Sequence, residues 1–327
     1  MVKFPNDGLA TVIGGSGFVG RYIVRALALD GWRVRAACRR PDLAGFLQPM
    51  GRVGQIHPVQ TNLRFPDSLK QALEGADCVI NAVGVLASVG KQTFSAIHVD
   101  GARAAAAAAR EAGASRFIHI SAIGADTESN SEYARTKAAG EHAVLEEFPQ
   151  AIILRPSIVF GPEDEFFNRF ASMARMSPVL PLIGGGKTRF QPVYVADLAS
   201  AAAAAASGTG AVSTTYELGG PEVLTFRELL DRTQQWAGRS RGYISLPFWL
   251  AKIQALLTWP MPNSLRPITV DQVRLLQKDN VVSEEARAQG RTIAAFGIDH
   301  PESTASIVPS YLERFKPRGQ YASYRNS

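Results

Sequence analysis

Apolar residues in the first half of the chain fall into short runs separated by stretches with helical spacing. Leu9–Ile13 is one such run and stops at a cluster of glycines. Residues 20–29 then place apolar side chains three and four apart, the period of a helix with one buried face. Residues 32–38 read as a second strand. A third over 53–59 is followed by a helix over 68–73, and 78–82 is a continuous apolar strand. A helix over 102–112 contains six consecutive alanines, 104–109. A strand over 116–120, a helix over 133–146 and a strand over 151–154 complete the series. Strands alternating with crossover helices predict an α/β fold built on a doubly wound parallel sheet, covered on both faces.

The regularity breaks after Pro156, where glycines and prolines at 161, 162, 178, 181 and 184–186 punctuate the chain. A strand resumes over 193–195, and Asp197 is placed to cap the helix behind it. A second alanine run, 201–206, lies in that helix. Alanine is the best helix former and allows close approach, so neither run signals low complexity. From 219 onward helices and proline-rich connections dominate. The expected organisation is a sheet domain over 1–160, completed by 189–219, and a smaller, mostly helical lobe and tail from 161–188 and 220–327.

Composition narrows the class. Of the 327 residues 46% are hydrophobic and 20% charged, so a core forms without a disulfide or metal staple. Cys38 and Cys78 lie outside any CxxC, and the five histidines lack ligand spacing. No metal site is expected, and the compartment is expected to be reducing. No apolar run approaches the ~20 residues of a membrane-spanning helix. The net charge of +6 suits solubility, and no basic groove interleaved with aromatics points to nucleic acid.

The most informative stretch runs from Ile13 through Gly14, Gly15, Ser16, Gly17, Phe18 and Val19 to Gly20. Glycines spaced GxxGxxG between a strand and a helix predict a dinucleotide site of the Rossmann type. The first glycine makes the turn, the second lets the backbone approach a pyrophosphate, and the third allows helix and strand to touch. The helix start then offers N–H groups and a positive dipole end to the phosphates. Selectivity is read about 20 residues further on, where an acid would hold the 2′-hydroxyl of NAD. This chain has Arg39 and Arg40 there, suited to a 2′-phosphate, so NADPH (NADP) is favoured and NAD(H) is less favoured.

Taken in order, these residues resemble the extended and atypical short-chain dehydrogenase/reductase superfamily. The similarity runs from Leu9 to about Gly220. It rests on the Gly14–Gly20 turn, Asn62-Leu63 where the family often has Asp-Leu, Asn81-Ala82-Val83-Gly84, Tyr133-Ala134-Arg135-Thr136-Lys137, Leu154-Arg155-Pro156 and Val193-Tyr194-Val195-Ala196-Asp197. The resemblance implies that Asn62 and Leu63 lie near the adenine, that Ala82, Val83 and Gly84 line the cofactor, and that Pro156 and Ile158 lie near the nicotinamide. It also implies that Tyr133 exchanges a proton while Lys137 lowers its pKa and holds the ribose. Spacing of four on a helix puts both on one face. One position departs from the family. The catalytic hydroxyl is expected second after the fifth strand, and that residue is Ala122. Ser121 stands next to it as a weaker candidate.

A narrower resemblance spans nearly the whole chain. Ser121–Asp126, Ser131–Glu141, Leu154–Phe170, Gly186–Val193 and Tyr311–Pro317 are similar to the NAD(P)H-binding accessory subunits of respiratory complex I, the alpha subcomplex subunit 9 type. This implies a non-catalytic subunit holding NADPH on the peripheral arm, near the membrane and the quinone site. Complex I subunits are then its partners, and no small-molecule substrate is identified. With no presequence read before the first strand, a bacterial chain on the cytoplasmic side of the inner membrane, peripherally bound, is expected. The alternatives are an active NADP-dependent reductase, epimerase or isomerase, and an NADP(H)-sensing regulator.

Three further features carry expectations. Residues 247–262 hold Phe248, Trp249, Leu250, Ile253, Leu256, Leu257 and Trp259, and suit either an interfacial helix or a packed one. Glu163, Asp164 and Glu165 read as a solvated loop. Arg314, Lys316, Arg318 and Arg325 make the tail basic.

Overall fold

The computed structural model describes residues 8–257 and 268–317, so Trp259 and the tail beyond Pro317 lie outside the described residues. Seven parallel strands form the main sheet. Six are β1 (Leu9–Ile13), β2 (Arg33–Cys38), β3 (Ile56–Gln60), β4 (Cys78–Asn81), β5 (Arg116–Ile120) and β6 (Ile152–Pro156). The seventh is the later strand Thr215–Leu218. The order across the sheet is Thr215–Leu218, β6, β5, β4, β1, β2, β3. Strand order reverses between β1 and β4, and ligands in such sheets bind in the crevice beyond the carboxyl ends at that point.

The helices follow from the apolar spacing. α1 (Phe18–Leu29) buries Gly20, Ile23, Val24, Leu27 and Ala28, one face of a 3.6-residue period. α2 (Pro66–Leu73) opens on a proline, whose fixed φ suits a first helical position. α3 (Gly101–Glu111) buries Ala102, Ala105, Ala106, Ala108 and Ala109. α4 (Glu132–Glu147) starts at Ser131, whose hydroxyl accepts the Ala134 N–H at 3.3 Å. A π-helical turn over Ser95–Asp100 precedes α3 and is absent from the sequence reading. It belongs to a close helix–helix approach. A Cβ on Gly140 of α4 would stand 2.0 Å from the His98 carbonyl oxygen, so only glycine permits it.

Two compact units emerge. The first comprises 1–156, 195–218 and 282–299; the second comprises 157–194, 219–281 and 300–327. The segment 282–299, expected in the lobe, belongs instead with the sheet. The Ser283 N–H donates to Glu217 at 2.7 Å, Arg291 donates to the Thr215 carbonyl at 3.2 Å, and the Phe296 ring lies 4.8 Å from that of Tyr216. The helix Val195–Ala206 also packs on this unit, burying Leu198 and most of its alanines. Asp197 sits inside its first turn rather than at the cap, because the helix begins at Val195, three residues earlier than a cap at Asp197 implies.

The second unit is smaller and mixes helices with three two-stranded pairs among the described residues. Its core gathers Phe160, Phe167, Phe190, Leu224, Phe226, Leu229 and Leu230, with Phe166 and Phe170 stacked edge-on against it. The helix Phe226–Trp236 begins with a reciprocal capping box between Thr225 and Glu228. The acidic run 163–165 is not uniformly solvated. Asp164 is buried, accepts the Tyr311 hydroxyl in a very short hydrogen bond, and accepts the N–H groups of Gly161 and Asn168 at 3.3 and 3.2 Å. The burial reflects the helix Thr304–Leu312, which brings Tyr311 in from far along the chain.

Candidate functional site

The turn after β1 is shaped by contacts that no side chain could share. Gly14 has φ +84°, in the left-handed region, and its N–H donates to Ala37 at 2.8 Å. A Cβ on Gly20 would stand 2.1 Å from the Gly14 oxygen, so the third glycine lets α1 begin directly under the turn. Gly17 is exposed at the N-cap, and its own N–H donates back to Gly14 at 2.9 Å. Phe18 and Val19 open the helix behind it. The hydroxyl of Ser16 hydrogen-bonds Cys38, joining the turn to the end of β2. This is a backbone cradle at a helix start, open to an anion.

At the end of β2, Arg39 and Arg40 are both exposed. Arg40 is held by Asp42 at 2.7 Å, whereas Arg39 makes no hydrogen bond or ion pair among the described residues. After β3, Asn62 is half-buried and its Oδ1 accepts the Arg64 N–H at 3.2 Å. Leu63 is buried in the core beneath α3, against Gly101, rather than presented at the surface. After β4, the Ala82 N–H donates to Ile13 and the Val83 N–H to Asn81 Oδ1. A Cβ on Gly14 would meet Val83 Cγ2 at 2.9 Å, so this strand end and the glycine turn touch.

α4 supplies the third side. Lys137 is buried and donates from Nζ to the Ile120 carbonyl at 2.9 Å. Burial lowers its pKa to about 8, against the opposing pull of Glu141. Glu141 itself is paired with Arg155 through two hydrogen bonds of 2.9 and 2.5 Å. Tyr133, one turn before Lys137, is half-buried with its ring edge-on to His98 and Phe94 at 5.3 and 5.9 Å. Gly84 is exposed, and a Cβ there would lie 3.7 Å from Lys137 Nζ. Ser121 is buried with no hydrogen-bond partner for its hydroxyl among the described residues, and Ala122 beside it has none to offer. Pro156 ends β6 and accepts the Ile123 N–H at 2.9 Å. Ile158 belongs to the second unit, where Asn280 Oδ1 accepts its N–H at 3.0 Å.

A model of the NAD dependent epimerase/dehydratase family matches residues 10–219. The chain belongs to that family. It is 38% identical over 289 residues to the alpha subcomplex subunit 9 of mitochondrial NADH dehydrogenase [ubiquinone] 1 from Arabidopsis thaliana, covering 85% of this chain and 72% of that protein. It is 39% identical over 193 residues to the ceramide reductase of Caulobacter vibrioides, covering 59% of each. Among solved structures, an NADPH-dependent quinone oxidoreductase of Escherichia coli complexed with NADPH superposes with a TM-score of 0.72 at 21% identity, covering 93% of this chain and 99% of that one, which shows the shared fold.

Within this epimerase/dehydratase-family chain two buried histidines, His98 and His119, lie outside every motif and engage the motif residues Thr136 and Asn81. His98 is buried, and its Nε2 accepts the Val85 N–H at 3.1 Å. The ring proton therefore sits on Nδ1, which donates to Thr136 Oγ1 at 3.1 Å. Burial, then the charge of Lys137, lowers its pKa to about 3. His119 is also buried and held far below the usual imidazole range by burial; its Nδ1 accepts from Asn81 at 3.2 Å. His98, Thr136, His119 and Asn81 thus fix the loop after β4 against α4 and β5. The sequence signal was present: polar side chains inside otherwise apolar elements, at a strand end and at the start of an alanine helix.

The residues present fit a nicotinamide dinucleotide. The glycine cradle admits no side chain, and the buried Ser121 hydroxyl awaits a partner. When bound, such a group supplies or accepts a hydride. Lys137 and Tyr133, one helical turn apart on α4, are the residues that would hold its hydroxyls and move a proton at the tyrosine oxygen.

Proposed function

We propose that the protein is an NADPH-binding accessory subunit of respiratory complex I that turns over no substrate of its own. One observation carries the reading: the chain keeps a glycine turn in which Gly14 and Gly20 leave no room for a side chain, while Ala122 stands where a catalytic hydroxyl is expected. The relationship to alpha subcomplex subunit 9 supports the assembly it joins. Arg39, exposed at the end of β2, supports NADPH over NADH. Bound NADPH stabilises the fold, since an unfolded chain cannot bind it, by about 2.7 kcal/mol at a hundredfold excess over Kd. Complex I subunits are its partners, and its place is peripheral, on the cytoplasmic side of a bacterial inner membrane. Among the described residues no helix is long and apolar enough to cross a membrane. Purification in mild detergent tests the proposal. NADPH retained unreacted, together with co-purifying complex I subunits, is the expected result. A protein that purifies alone overturns it.

A second reading is an NADPH-dependent reductase. Two observations favour it: the relationship to a ceramide reductase, and an intact Tyr133–Lys137 pair whose lysine is shifted to about 8. Carbonyl-dependent NADPH oxidation that Tyr133→Phe abolishes would establish this reading in place of the first.

A further inference from the structure

The second unit carries an apolar helix face that its own core does not use. The helix Phe248–Leu257 packs through Ala251 onto Ile183 and Val273, with Phe248 and Leu276 alongside. Ala255 is buried as well. Its bulkiest side chains point the other way: Trp249 is 64% exposed, Leu256 62%, Ile253 44% and Leu250 37%. At about 100° per residue, Trp249, Ile253 and Leu256 fall within roughly 60° of one another, opposite the alanines. Lys252 lies at the edge of this stripe and is half-buried. A solvated helix shows the reverse arrangement, with polar groups outward.

Charge is distributed to match. Among the described residues the first unit holds 18 Lys and Arg against 18 Asp and Glu, while the second holds 13 against 10. The net positive charge of the described residues therefore resides in the unit that bears the apolar stripe. Apolar anchors on a basic unit are complementary to one surface in particular, a bilayer rich in anionic lipid, where aromatic and aliphatic side chains enter the headgroup boundary and cations meet the lipid charge.

We propose that Trp249, Ile253 and Leu256, with Leu250 and Lys252 at the margin, form the surface that docks this protein on anionic phospholipid. This deepens the peripheral location proposed above and rests on that part of it alone, independent of the nucleotide. Full-length protein is mixed with vesicles of phosphatidylcholine alone, and with vesicles in which about a third of the lipid is phosphatidylglycerol. The expected result is binding to the anionic vesicles that weakens with salt and falls at least about tenfold in the triple variant Trp249→Ser, Ile253→Ser, Leu256→Ser. Nucleotide retention by that variant should be unchanged, which shows that it folds. Tryptophan emission should shift to the blue on binding, and Trp249→Phe should remove that shift. No vesicle binding, or binding that the triple variant retains, overturns the proposal. So does a native dimer that the triple variant converts to monomer, which would give the face to a second copy. Complex I subunits are sought in the same preparation. Vesicle binding without them overturns the proposed function and leaves this surface standing; their presence without vesicle binding does the reverse.

Discussion

Lowering the pH from 7 to 4.5 protonates an ordinary histidine but not His98, and the difference should register as lost stability. In the unfolded chain its imidazole titrates near 6.5, whereas in the folded protein burial and then Lys137 hold it at about 3. The folded pKa is the lower one, so the unfolded state takes up the proton first. Stability from this residue is complete above pH 6.5 and is lost as the pH falls toward 3. At pH 4.5, two units below the unfolded value, the loss is about 2.7 kcal/mol. His98→Gln isolates it. The amide can still accept the Val85 N–H and donate toward Thr136, but it does not titrate. Urea unfolding at both pH values gives four stabilities. At pH 7 the variant should be weaker by about 1 kcal/mol, from the lost ring contacts with Phe94 and Tyr133. On going to pH 4.5 the wild type should lose about 2.7 kcal/mol more than the variant does, since His119 titrates equally in both. Parallel losses would refute the assignment of a neutral, proton-donating Nδ1 that braces the loop after β4.

Arg39→Glu should weaken NADPH at least about 100-fold by calorimetry and NADH only a few-fold, and Arg40→Glu should do less because Asp42 already occupies that guanidinium. Equal losses for both nucleotides would remove Arg39 from the 2′-phosphate. Tyr311→Phe withdraws the hydroxyl donor from the buried Asp164 carboxylate and should cost about 1–3 kcal/mol, seen as a lower Tm. An unchanged Tm would mean that the helix Thr304–Leu312 is held by its apolar contacts alone.

Six of the seven main-sheet strands and the glycine turn were legible in the sequence because each depends on its own residues, whereas the edge strand Thr215–Leu218 was not read. Leu9–Ile13 and Cys78–Asn81 are apolar enough to be buried on both faces, and Gly14 and Gly20 meet each other within one turn. What was missed depends on partners far along the chain. Nothing near Asp164 announces Tyr311, and without that hydroxyl the run 163–165 reads as three solvated acids. The π-helical turn at Ser95–Asp100 answers to Gly140 on another helix. Ser283 and Arg291 return to the edge strand Thr215–Leu218 through polar bonds that leave no periodic trace. At the site the motif residues were identifiable by spacing, whereas His98 and Asn81 act through a tautomer and an amide orientation, which only neighbours in space determine.

The division into two units has a consequence for how the protein is made. The chain passes between the units five times, and the sheet receives its edge strand at Thr215–Leu218 and its last segment at 282–299. A nascent chain that has already emerged through β6 therefore carries the glycine turn and six of the seven strands, yet still exposes one flank of the sheet. That flank is an unpaired parallel edge, the kind of surface that recruits wrong partners. Nucleotide present during synthesis could brace the early strands, but closure must wait until nearly the whole chain has left the ribosome. Neither unit corresponds to a continuous fragment, so a truncated gene would yield an open sheet rather than a smaller protein.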